Sequence, residues 1–407
     1  MDITNLLEYM YALERFGIKP GLEVMKALLK ALGNPEKKLN VIHIAGTNGK
    51  GSTAAMLEFI LRTAGYSTGL YTSPHLVRFN ERIRLNGKEI TNKETAELVQ
   101  KIKSVCEKNN IQATFFEFTT TLAFLYFANK KPDYIITETG MGGRLDATNV
   151  VTPIITAITN IAIDHVDYLG NTEREIAVEK AKIIKKNIPM ITAETNEEII
   201  KLFKEECKKN NSPYYNINDE FNINISESDT KHQLFSTNGE SYEIKLVGEH
   251  QVMNACLAIR IAEMLEVKKE HIINGLKKAE WPGRLETVSK NPLVIIDGAH
   301  NTTGMKALRK FLDKYYPKVF LVLGISEGHH KREMLKEIVP IAERIILTKG
   351  KYRGEDPKNY KDLIDKKAII ISDVKEAVKK AMKMNRDIPI LITGSIYMIG
   401  EAEELFL

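Results

Sequence analysis

The stretch HIAGTNGKGSTAAM, residues 43–56, decides how the chain folds. It leaves an apolar run at 40–45, turns through Gly46, Gly49 and Gly51, and enters an apolar helical pattern. Strand, glycine-rich turn and helix together form a phosphate-binding layout. The glycines let backbone N–H groups approach phosphate oxygens, the helix N-terminus adds positive potential, and Lys50 brings a full charge. The usual signature places Ser or Thr directly after Gly-Lys, because that hydroxyl holds magnesium. Here Gly51 separates Lys50 from Ser52. The loop is therefore a candidate nucleotide site whose metal-holding hydroxyl must come from elsewhere; the bland alternative is a connection that binds nothing.

Working outward, runs at 68–72, 134–137, 154–161 and 188–192 read as further buried parallel strands. Helical patterns at 52–64 and 91–109 separate them. From 212 to 248 the texture changes to short polar and apolar alternation with a turn at Asn238-Gly239, which predicts a small antiparallel addition. A helix at 251–265 comes next. Strands at 293–296, 319–323, 344–347, 368–371 and 388–392 form a second α/β series. The expected architecture is a P-loop-type, mainly parallel sheet domain over 1–287 and a Rossmann-like α/β domain over 288–407, with the break near 287–292.

Composition sets the class. The 407 residues suit two domains, and 43% hydrophobic with 27% charged residues is ordinary for a folded enzyme. A net charge of +5 interspersed with acids is no nucleic-acid footprint, though it suits anionic small substrates. Cys106, Cys207 and Cys256 are separated and odd in number, which argues against a disulfide framework or zinc cluster. The start lacks a basic segment leading into an apolar core, and no run is long enough to span a bilayer. A cytoplasmic protein is expected.

Strand ends carry the chemistry, since open α/β sheets bind ligands there. Ser73, in YTSPHLVRFNERI (71–83), comes just after one strand and is placed to supply the missing hydroxyl; alone, Thr-Ser-Pro reads as a cap or turn. Glu138, in TETGMGGRLDATN (137–149), ends another, and an acid beside a phosphate loop is a logical magnesium ligand, unless it caps the next segment. Asp164 and His165 end a fourth, in ITNIAIDHVDYLG (158–170). In EIAVEKAKIIK (175–185), Lys180 has no claim over Lys182 or Lys185 on these grounds. Asp297 and His300 come after the first strand of the second series, Arg284 lies on the connecting segment, and Trp281 is read as packing.

Taken in order, GTNGKGS, LYTSPHLVRFNERIR, ETGMGGRLDATN, TNIAIDHVDYLG, EKAKIIK, WPGRLE, IDGAHN and ITGSIYMIGEA resemble folylpolyglutamate synthase and dihydrofolate synthase, within the Mur ligase superfamily. The resemblance implies an ATP-dependent amide ligase in which a carboxylate is phosphorylated and L-glutamate attacks the acyl phosphate. It implies ATP contacts at Thr47, Asn48, Gly49, Lys50, Asn254, Arg284 and Asp297, with Gly51 and Ser52 completing the loop. Magnesium, two ions in this reading, would be held by Ser73, Glu138, His165 and Lys180, the last carboxylated on its side chain. Lys50, Lys180 and His300 would serve catalysis in the cleft. The acceptor would meet Phe115, Phe116, Glu117, Leu145, Asp146 and Ala147; at least one phenylalanine of the FFEF segment is expected to be core instead.

Two departures stand out. Lys182 occupies a position where the family usually has glycine, and EGHHKREM (327–334) replaces an Asp-Lys-Asp-like stretch. His329 and His330 lack further ligands at zinc spacing and read as loop variation. The expected substrates are L-glutamate, dihydropteroate, tetrahydrofolate and its polyglutamates, acted on by a monomer. GGRLDATN favours the bifunctional type over an enzyme restricted to polyglutamylation. A P-loop kinase or NTPase would leave the second domain without a role, and an ATP-binding regulatory module would not need the metal donors.

Overall fold

A computed structural model of the chain describes residues 3–17, 21–328, 331–385 and 387–407. Its first sheet is built from β1 (Val41–Ala45), β2 (Thr68–Tyr71), β3 (Ile83–Leu85), β4 (Lys88–Glu89), β5 (Tyr134–Glu138), β6 (Ile155–Ile158), β7 (Met190–Thr192) and β8 (Tyr214–Asn216). The order is β4-β3-β2-β5-β1-β6-β7-β8, parallel except that β3 runs antiparallel to both β2 and β4. β1, β2 and β6 are buried at every position, as continuous apolar runs covered on both faces should be. The helices Lys50–Thr63, Glu249–Met264 and Lys269–Lys278 pack together on one face.

Asn92–Lys108 and Phe115–Lys130 cover the other face, each opening on a capping box, Thr91 with Glu94 and Thr114 with Glu117. Two reciprocal bonds satisfy N-terminal donors in each box, exposed at Thr91 and buried at Thr114. Phe118, Phe124 and Phe127 are fully buried, and each contributes about 1.5–3 kcal/mol of apolar transfer. Phe118 is thus the core residue expected within FFEF.

The antiparallel addition begins later than its sequence texture implies. Tyr214–Asn216 pairs in parallel with β7 as the sheet edge, and the separate sheet is β9 (Asn224–Ser228), β10 (Gln233–Thr237) and β11 (Glu240–Ile244). An edge strand half-covered by neighbours alternates like an antiparallel one, so pattern alone misassigns it. Asn238 and Gly239, at φ 50° and 83°, make the two-residue turn between β10 and β11.

The second sheet comprises β12 (Glu286–Lys290), β13 (Leu293–Asp297), β14 (Val319–Leu323), β15 (Ala342–Leu347), β16 (Ala368–Ile370) and β17 (Ile390–Thr393). Its order is β12-β13-β17-β14-β15-β16, with only β12 antiparallel. The expected break at 287–292 falls on the β12–β13 hairpin. The C-terminal ends of β2, β5, β1 and β6 lie side by side, and the segment after β13 meets them. Among the described residues no helix is long and apolar enough to cross a membrane.

Candidate active site at the interdomain cleft

The loop after β1 is stapled to the segment after β6. Thr47 N donates to Asn160 O at 2.9 Å, Thr47 Oγ1 donates to Ala162 O and accepts from Ala162 N, and Thr159 Oγ1 donates to Asn48 O at 2.6 Å. Asn160 adds both halves of its side-chain amide to Asn48. Gly46 sits at φ 145°, and a Cβ there would collide with Thr159 Oγ1. Gly46→Ala is therefore expected to cost about 3 kcal/mol or more, measured by urea denaturation, because neither backbone nor staple can yield cheaply.

Lys50 opens the next helix and curls back, its Nζ donating to Gly46 O at 3.1 Å and lying 3.8 Å from Glu138 Oε1. Glu138 ends β5, buried, and its Oε2 accepts from Ser73 N at 3.2 Å. Burial pushes the Glu138 carboxyl above its usual range, with Lys50, the Ser73 N–H and Arg284 pulling the other way. The displaced hydroxyl has a steric reason as well. A Cβ at Gly51 would lie 3.0 Å from Trp281 Nε1 and 3.5 Å from Glu138 Oε2, so the position after Lys50 is already roofed. Ser73 lies beside the same carboxylate through its N–H and lines the same cleft. Trp281 packs here as expected, with the Arg84 guanidinium 5.3 Å from its ring.

Lys180 is the buried member of its lysine trio. It is 4% exposed and donates to Gly46 O at 2.8 Å, whereas Lys182 reaches Glu206 and Lys185 reaches Asn149 O. Desolvation, joined by the Lys50 charge, brings the Lys180 amine down to about 7. Lys182 has φ −73°, so the glycine usual in the family is not required by this backbone. His165 takes φ 51° after β6 and keeps an exposed edge, yet desolvation by the surrounding loops, with His300, Lys180 and Lys50 adding to it, lowers its imidazole to about 4.

The second domain closes the arrangement. Asp164 Oδ2 accepts from Asn301 Nδ2 at 3.0 Å and lies 3.7 Å from His300 Nε2. Asn301 Nδ2 also donates to Asn48 Oδ1 at 2.9 Å, joining the phosphate loop to the residues after β13. Sequence reasoning misses this bridge, because there Asn301 is simply the end of IDGAHN. Asp297 accepts from Leu285 N and Ala299 N, fixing the turn that carries Arg284. Asn254 flanks the loop so closely that its Oδ1 would collide with a Cβ on Gly49. One cleft is lined by Gly51, Ser73, Glu138, Trp281, Arg284 and Ile396.

The residues expected to meet the acceptor divide. Phe115 is sandwiched by Tyr11, stacked at 5.7 Å, and by Arg82 at 5.4 Å. Phe116 stacks on Tyr71 and covers Gly140. Glu117 uses one carboxylate oxygen to cap Thr114. Leu145 is half-buried, while Ala147 and Asp146 are buried. His329 and His330 lie outside the described residues. Among the described residues no three His, Cys, Asp or Glu converge as a metal cage.

Comparison with known proteins gives a consistent result. The Mur ligase middle domain matches residues 44–262, and the Mur ligase, glutamate ligase domain matches 283–396. The dihydrofolate synthase/folylpolyglutamate synthase of Bacillus subtilis is 39% identical over 95% of each chain. Mycobacterium tuberculosis folylpolyglutamate synthase complexed with ADP aligns with a TM-score of 0.91 at 29% identity, covering 99% of this chain and 98% of that one. E. coli FolC in complex with DHPP and ADP aligns at 0.88 and 29%, covering 98% and 97%.

Proposed function

The chain belongs to the Mur ligase family, and from that premise we infer an ATP-dependent ligase that joins L-glutamate to folate-type acceptors, as dihydrofolate synthase and folylpolyglutamate synthase. The observation that carries the reading is the convergence of Lys50, Glu138 and Ser73 at a cleft whose other side is Trp281, Arg284 and Ile396, with Asn301 tying the second domain to the phosphate loop at Asn48. A kinase needs no such second wall.

In the reaction an acceptor carboxylate oxygen attacks the γ-phosphorus of ATP and ADP leaves. The amine of L-glutamate then attacks the acyl carbon, phosphate departs, and the nitrogen loses a proton. Lys50 and the loop N–H groups neutralise charge on the transferring phosphoryl, and Arg284 and His300 line the path between domains. Asn301 holds the second domain against the first through Asn48 and Asp164, and Asp297 fixes the turn that carries Arg284.

The residues fit magnesium. Glu138 is a buried carboxylate with one long ion pair, one N–H and the more distant Arg284 charge to offset it, and Ser73, which lines the same cleft, carries a hard hydroxyl oxygen. His165, whose imidazole is held low by desolvation and the neighbouring cations, has a nitrogen of the right chemistry. Magnesium bound by these groups supplies charge neutralisation at the phosphates. We further propose that Lys180 is carboxylated. An amine near 7 is substantially neutral at physiological pH, and addition to carbon dioxide releases one proton and leaves a carbamate anion. That anion replaces Lys50–Lys180 repulsion by attraction.

We divide the chain just before Glu286, because that residue already pairs with Ile296. We place the protein in the cytoplasm as a monomer acting on small molecules, on composition and family grounds. The test measures phosphate release with ATP, magnesium and L-glutamate, using dihydropteroate, tetrahydrofolate or no acceptor, with products weighed by mass spectrometry. Both acceptors are expected to gain glutamyl residues. Turnover with tetrahydrofolate alone selects the polyglutamylation enzyme, and glutamate-independent phosphate release overturns the ligase reading.

A further inference from the structure

His43 opens the stretch that decides the fold, yet the chemistry above gives it no task. It sits mid-strand in β1, fully buried, between Thr137 of β5 and Thr156 of β6 in register. Its Nε2 lies 2.8 Å from Thr148 Oγ1, and Thr148 Oγ1 in turn contacts Asp146 Oδ1. Asp146 also accepts from Thr148 N at 3.0 Å, Met141 N at 2.8 Å and Gly140 N.

Burial pushes the Asp146 carboxyl up, and these N–H groups together with the Thr148 hydroxyl pull it back toward the acceptor form. The Thr148 hydroxyl gives its single proton to Asp146, so Thr148 can only accept from His43, and His43 carries its proton on Nε2. Its Nδ1 has no partner among the described residues, and in this tautomer that atom is an acceptor, a cheaper orphan than a buried N–H. Burial, with the Lys185 charge, holds the imidazole neutral, down to about 3. The consequence reaches the residues expected to meet the acceptor. Asp146 clamps the turn at Gly140 and Met141, two residues past Glu138, and Phe116 packs directly on Gly140.

We propose that His43 and Thr148 are positioning residues for the acceptor side of the site, a buried relay from the phosphate-loop strand that orients the Asp146 carboxylate and the Gly140 turn. This rests on the ligase reading, whose own failure would appear as absent glutamate-dependent turnover in the wild-type enzyme. The test uses the full-length enzyme with Thr148→Val and Thr148→Ser. Thr148→Val is expected to raise the acceptor KM at least tenfold while the ATP KM stays within twofold, and Thr148→Ser, which keeps the hydroxyl, to remain within threefold of wild type in both. Because a folding defect could blur the kinetics, ¹⁵N NMR of imidazole-labelled wild-type enzyme gives a second reading: a His43 resonance pattern protonated at Nε2. A Thr148→Val enzyme with unchanged acceptor KM, parallel losses in both KM values, failure of Thr148→Ser to restore, or an Nδ1-protonated His43 would each overturn the relay.

Discussion

Glu138→Gln is expected to lower kcat by about 10³-fold, about 4 kcal/mol at the barrier, while leaving the protein at least as stable as wild type. The two halves of this result have one cause. Glutamine keeps the shape and an oxygen for the Ser73 N–H, so the turn after β5 stays folded. It loses the charge that faces Lys50 and that would hold a cation. Burial raises the Glu138 carboxyl above its usual range, which fixes the sign of the linkage. A raised carboxyl costs stability once it ionises, above its unfolded-state value, and that cost is relieved as pH falls. A neutral glutamine removes the cost, so thermal unfolding at pH 7.5 is expected at or above the wild-type temperature. Steady-state phosphate release checks the first half and calorimetry the second. Turnover within tenfold of wild type would remove Glu138 from the metal assignment; a parallel collapse of stability would make it structural.

The strand ends are legible in the sequence because their signals are local. A buried parallel strand is an apolar run, and the residues just beyond its C-terminal end must sit at the ligand edge, which singles out Ser73, Glu138 and His165. Tyr214–Asn216 escapes the same reading for the complementary reason: at the edge of the sheet the same backbone role leaves only partial cover, and the run loses its apolar continuity. The residue pairs that matter most lie far apart in sequence. Asn48 and Asn301 are 253 residues apart, and His43 and Thr148 are 105 apart. No periodicity reports such contacts. Gly51 is intermediate: its oddity is visible in the sequence, but the reason, Trp281 above it, belongs to a segment far downstream.

Lys180 does carry a local signal that the lysine-rich texture masks. In the helix Glu173–Ala181 the buried positions are Ile176, Ala177, Lys180 and Ala181, so Lys180 occupies an inward slot of the apolar stripe while Lys182 and Lys185 fall off it. A lysine in a core slot demands either a partner or a changed charge state. Here the amine has one carbonyl, Gly46 O, and a repelling neighbour, Lys50, and desolvation brings it to about 7. As pH falls through 7 the amine protonates and carbamate formation is lost; as pH rises it is favoured. The expected kcat profile therefore has an acid limb near pH 7, steepened when carbon dioxide is stripped from the buffer and relieved by bicarbonate. Lys180→Met, which keeps the length and the packing but supplies neither ammonium nor carbamate, is expected to lose about 10²–10³-fold in kcat and to lose the bicarbonate response altogether. Labelled bicarbonate gives a direct check by ¹³C NMR, a carbamate resonance in wild type that Lys180→Met lacks. If Lys180 were only an ammonium strut on Gly46 O, wild type would show no such resonance and no bicarbonate dependence, and lowering the pH would strengthen the contact, reversing the sign of the expected limb.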